Sequence, residues 1–152
     1  NVLIQSNSAP GIDANFFVSG SISAVGTTER GASVFGGDTY TSGSMHSGGA
    51  RFVNVKEIPS SSPYNVLDGD YYLSIPTSGL TATINLPAAN NNVGRILIIA
   101  DGEGNANSRN ITIDPNASED IGGSSTKVMS TAGEIITIIC VGGGWSVVST
   151  NQ

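Results

Sequence analysis

The chain has 152 residues and a formal net charge of −6, and only 12% of its residues are charged. That is about half the roughly 25% of an average soluble domain, and Ser, Thr, Asn and 20 glycines fill the vacated polar positions, a balance that favours strands and turns over helices. Six scattered basic residues (Arg30, Arg51, Lys56, Arg95, Arg109, Lys127) make no patch for nucleic acid or an anionic membrane surface, and no run approaches the about 18 apolar residues that insert across a bilayer.

Residues 1–58 are sparse in apolar side chains. Asn1–Gln5 reads as a short strand and residues 6–11 as a loop. Phe16-Phe17-Val18-Ser19-Gly20-Ser21-Ile22 and Tyr40-Thr41-Ser42-Gly43-Ser44-Met45 share one order: aromatic, β-former, Ser-Gly-Ser, apolar. Two such units predict repeating β-turns. With so little apolar surface, the segment needs neighbouring chains to complete a core, which predicts several identical chains wound about an axis. Phe52–Ile58 alternates as a strand, and Pro59-Ser60-Ser61-Ser62-Pro63 marks the expected domain boundary. The organisation expected is thus a shaft-like segment at 1–58 and a globular head at 64–152.

Strand signals are dense in the head. Tyr71, Leu73 and Ile75 share one face of the strand at 70–75, leaving Tyr72 on the other. In 81–86, Ala82, Ile84 and Leu86 point inward and Thr81, Thr83 and Asn85 outward. Residues 87–92 read as a polar loop. Arg95–Ala100 is the most continuous apolar run and predicts a strand buried on both faces. A long loop, 101–109, precedes the alternating strand 110–114; a short strand is expected at 127–129. Glu134–Val141 is a second apolar strand, Gly142-Gly143-Gly144 a hairpin-like turn, and Trp145–Val148 the closing strand. The class predicted is all-β, a sandwich, barrel or prism.

Little in the sequence points to catalysis. His46 is the only histidine and lies in a Ser/Gly turn, with no nucleophile elbow to serve. The lone Cys140 excludes an intramolecular disulfide and reads as a small buried hydrophobe. Asp101, Glu103 and Asn105 alternate like calcium ligands, but the distal glutamate of an EF-hand is missing. Asp68 with Asp70, or Glu119 with Asp120, are the acid pairs that glycoside hydrolysis would need. No cofactor or metal is expected. Tyr71 and Trp145 read as core.

Residues 64–150 resemble a β-rich module at the ends of tailed-bacteriophage fibre and appendage proteins. The likeness is carried by residues 64–73 (YNVLDGDYYL), 83–87 (TINLP), 94–106 (GRILIIADGEGNA), 110–115 (NITIDP) and 142–148 (GGGWSVV). Residues 16–45 are similar to the thin repetitive shaft of such fibres. The resemblance implies an intertwined homotrimeric β shaft followed by a compact β-sandwich or β-prism-like head. It further implies a place on the virion among other virion proteins, and a structural role in host attachment or in capsid or tail decoration. It implies no catalytic residue. Contact with a host cell-surface glycan is expected from loops and exposed rings: Asp101, Glu103, Asn105, Asn107 and Arg109, with Asn90, Asn91 and Tyr72. The alternatives are an extracellular carbohydrate-binding adhesin module and, behind it, a polysaccharide depolymerase.

Overall fold

The structure, a computed structural model, describes residues 39, 41–58, 63–76 and 81–151. The strand expected at 1–5, the first aromatic unit at 16–22, and Tyr40 of the second lie outside the described residues. Residues 41–48, taken by themselves, are exposed and include His46; they contain bends and no strand.

Gly49–Gln152 is a separate unit. Its described residues form ten strands: β1 (Val55–Glu57), β2 (Tyr64–Asn65), β3 (Tyr72–Ile75), β4 (Ala82–Asn85), β5 (Ile96–Asp101), β6 (Ile111–Asp114), β7 (Asp120–Ile121), β8 (Lys127–Met129), β9 (Ile135–Cys140) and β10 (Gly144–Thr150). The only helical element among them is a 3-10 turn at Ala89–Asn91. The protein is all-β.

The strands fall into two sheets that enclose one core, but hairpins do not build most of it. One sheet has the order β1-β3-β5-β9-β10-β7 and the other β2-β4-β6-β8. From β1 to β6 the chain alternates between the sheets, and every neighbour pair within a sheet is parallel. Val55, Tyr72 and Ile98 stack in register on one side, and Tyr64, Ile84 and Ile113 on the other. Each coil therefore gives one strand to each layer. Parallel neighbours need a crossover, and here the crossover is the intervening strand of the opposite sheet. β8 then pairs antiparallel with β6, and β9 antiparallel with β5, which ends the winding. β9 and β10 form the hairpin expected around Gly142–Gly144. β1 belongs to this unit through its pairing with β3, so the strand expected at 52–58 joins the sheets that follow it.

The core is filled from both layers. Leu73, Ile75, Leu97, Ile99, Ile136, Ile138, Cys140 and Trp145 come from the larger sheet, and Ile84, Ile111, Ile113 and Met129 from the smaller. All are nearly sealed from water; replacing one of the buried Leu or Ile residues by alanine costs about 2–5 kcal/mol in such a setting. Cys140 is the buried small residue that its neighbours implied, with its thiol 3.2 Å from the Ala89 carbonyl.

The outer faces of the two sheets differ in kind. On the smaller sheet, Thr83 and Thr112 stand in register, as do Asn65, Asn85 and Asp114, so the outer surface is polar. On the larger sheet the corresponding positions are Ile96 opposite Ile139, Ala100 opposite Ile135, and Ile98 between Tyr72 and Thr137. This explains the two sequence patterns: β4 and β6 alternate, whereas β5 is apolar up to its last residue, Asp101, and β9 is apolar except at Thr137. The expectation that β5 is buried on both faces is corrected. Its inner face is sealed, but the outer face stays partly open in the single chain, with Ile96 38% and Ile135 37% exposed.

Candidate functional site

The loop after β5 is organised by its first residue. Asp101 is buried at the strand end, and its carboxylate accepts hydrogen bonds from the backbone N–H groups of Gly104 (3.1 Å), Ala106 (2.9 Å) and Gly133 (3.0 Å). Gly104 and Gly133 have φ of 75° and 71°, which turns their N–H groups toward that carboxylate at little steric cost. At Gly102 a Cβ would meet Ser74 Oγ, so a side chain there would require that hydroxyl to rotate away. The alternating oxygen pattern of 101–105 thus has a structural use at its first member, satisfying buried amides. Glu103, Asn105 and Asn107 are exposed, and Arg109 is half-buried.

Asn90 and Asn91 are exposed on the 3-10 turn. This turn is held by the Glu119 carboxylate, which accepts from Ala89 N–H at 2.9 and 3.1 Å, and by Asn92 Nδ2, which donates to the Ala88 carbonyl at 2.8 Å. It precedes β5, whereas the 101–109 loop follows it. A six-residue strand, about 17–20 Å long, separates the two groups. Tyr72 is half-buried on the outer face of the larger sheet, in register with Ile98. The eight residues expected at a receptor contact therefore occupy three places.

Three of the four paired acids, Asp70, Glu119 and Asp120, hold turns. Asp70 is buried, and its Oδ2 accepts from Tyr64 Oη–H (2.7 Å) and Leu67 N–H (2.8 Å). Partial burial, then the hydrogen bond to Asp70 and its negative charge, push the Tyr64 hydroxyl up to about 12. Asp120 Oδ1 accepts from Gly123 N–H at 3.2 Å, and Asp68 is exposed. Arg95 staples the same region, donating to the carbonyls of Leu67 and Asp70 and to Asn92 Oδ1 at 2.9 Å. A recess of about 380 Å³ lies beside it, between Arg51, Asp68, Tyr71 and Ile96.

A second polar concavity among the described residues lies elsewhere. A groove of about 430 Å³ opens where the smaller sheet's coils turn away after β2, β4 and β6. Asn65, Asn85 and Asp114 line it as one ladder, one from each coil, with Asn85 Nδ2 donating to Asn65 Oδ1 at 2.8 Å. Leu86 and Pro87 lie against it, and Ala117, left-handed at φ 51°, forms part of its rim. Sequence reasoning missed this site. The signal was present as an amide or acid ending each strand: Tyr64-Asn65, Ile84-Asn85 and Ile113-Asp114. It becomes visible only when those strands are known to be parallel neighbours.

No protein-family model matches the chain, and no curated protein matches it.

Proposed function

We propose that the chain is a homotrimeric, structural and adhesive module of a virion fibre or spike, working in host attachment or in capsid or tail decoration rather than in catalysis. The observation that carries this reading is the outer face of the larger sheet. Ile96, Ile98, Ile135 and Ile139, flanked by Tyr72 and Val55, make it apolar across four neighbouring strands. The outer face of the larger sheet is apolar at its centre and carries charge at its β1 edge, at Glu57 beside Ser74, while Thr83, Thr112, Asn65, Asn85 and Asp114 make most of the other sheet's outer face polar, so the two surfaces suit separate tasks. The apolar one suits burial against further copies; the polar one suits water or a hydroxyl-rich ligand. The coiled winding supports the same reading, because each coil stacks on the last and gives a rigid body that extends along one direction. The β-rich fibre modules that the sequence resembles join a compact β head to a trimeric shaft.

Sedimentation equilibrium of the full chain at micromolar concentration tests the proposal. Three chains per particle are expected, and Ile96→Lys with Ile139→Lys should return the particle to one chain while circular dichroism keeps its β spectrum. A wild-type monomer would refute the trimer.

A second reading, a carbohydrate-binding adhesin, is favoured by the Asn65–Asn85–Asp114 groove.

A further inference from the structure

We propose that the Asn65–Asn85–Asp114 groove binds a neutral oligosaccharide. The inference rests on the attachment reading above and gives it a location.

The groove's chemistry selects the ligand class. Parallel strands stack about 4.8 Å apart, so the three coils present amide, amide and carboxylate at that spacing along one line. The hydrogen bond from Asn85 to Asn65 fixes the two amides relative to each other. It leaves the Asn65 amide with N–H donors and Asn85 Oδ1 as an acceptor. The Asp114 carboxylate accepts nothing from the described residues and is half-buried at the end of the row. A ligand matching this row must give hydrogen bonds to Asp114 and Asn85 and take one from Asn65. Vicinal hydroxyls do both with the same atoms. An ammonium group offers donors only, so it leaves the Asn65 amide unmatched. Acidic sugars and phosphates bring negative charge against Asp114 and against a chain of net charge −6.

The walls fit the same class. Pro87, half-exposed beside the row, supplies apolar contact for the C–H face of a pyranose ring next to the polar groups that orient it. The groove's volume of about 430 Å³ falls within the range of about 300–1,000 Å³ typical of small-molecule sites. At the rim, Ala117 holds a left-handed conformation at φ 51°. No aromatic ring lines the groove, so affinity per sugar is low, and trimeric presentation raises the apparent affinity.

The test is a titration of the full chain with maltotriose, cellotriose and triacetylchitotriose, with sialyllactose as the acidic arm, followed by amide NMR. At least one neutral trisaccharide should shift the Asn65, Asn85 and Asp114 backbone signals, and sialyllactose should not. Asn85→Ala and Asp114→Ala should each weaken binding tenfold or more, while Ser125→Ala, at an exposed turn outside the groove, leaves it unchanged. Unchanged spectra and sedimentation behaviour in the sugar-free variants show that the fold is intact. Binding that survives both groove substitutions overturns the site but leaves the attachment reading standing. Preference for sialyllactose overturns the ligand class. No binding to any sugar overturns the proposal, and the trimer is then judged by sedimentation alone.

Discussion

Removing the Asp101 carboxylate should be among the most damaging single changes outside the apolar core. Three backbone N–H groups, from Gly104, Ala106 and Gly133, converge on its buried carboxylate, the bond from Ala106 being fully buried. A hydrogen bond to a charged group contributes about 1.5–3 kcal/mol, and a buried donor left without a partner costs about 1–3 kcal/mol. The three bonds share one acceptor and the loop can admit some water, so they do not add fully. Asp101→Ala should therefore cost about 3–5 kcal/mol, a large part of the roughly 5–15 kcal/mol that holds a typical domain together. With a urea m value of about 2 kcal/mol/M, the midpoint should fall by about 2 M. Unfolding is followed by circular dichroism at one fixed protein concentration, which holds constant any concentration-dependent term. Asp101→Asn, which keeps one acceptor oxygen but turns an amide toward the donors, should lie between the two. Glu103→Ala, two residues along and exposed, should stay within about 0.5 kcal/mol of wild type. A loss below about 1 kcal/mol for Asp101→Ala would refute the claim that this carboxylate organises the loop.

Two further predictions concern the frame. At Gly144 a Cβ would stand 2.6 Å from the Asp120 carbonyl oxygen, which is backbone and cannot swing away, so Gly144→Ala should separate β7 from β10. The expected cost is about 1–3 kcal/mol, read as a lowered thermal midpoint. Tyr64 ionises near 12 in the fold and near 10 in the unfolded chain, so its contribution is complete below pH 10 and is lost as the pH rises toward 12. An ultraviolet titration should show one late tyrosinate step that Tyr64→Phe removes, and the stability of the Phe variant should fall less steeply across that interval.

Much of the fold was legible because most strands carry their own pattern. Thr83-Ile84-Asn85 and Ile111-Thr112-Ile113 alternate, and both lie with one face in the core as the period requires. Gly142–Gly144 announced the one hairpin among the described strands. The winding was not legible. Parallel and antiparallel neighbours draw on the same β-branched residues, and the sequence spacing between β4 and β6 does not state that β5 crosses to the other sheet between them. The apolar run at Ile96–Ala100, and the one at Ile135–Cys140 broken only by Thr137, pointed to burial on both faces, and the single chain covers only one of those faces completely. The candidate site was harder still. Asp101 has the look of a ligand-binding acid, and only its three amide donors show that it serves the loop. Asn65, Asn85 and Asp114 are separated by long stretches of sequence, and a row forms only through the register of β2, β4 and β6.

The central claim, that the apolar outer face of the larger sheet is shared between copies, can be tested by site-specific photo-crosslinking. A benzophenone side chain at Thr137, which lies on that face opposite Ile98, should crosslink one copy to another; the same group at Thr112, on the polar outer face of the smaller sheet, should not. A chain that yields no crosslink from Thr137, or equal crosslinking from both positions, would contradict the account.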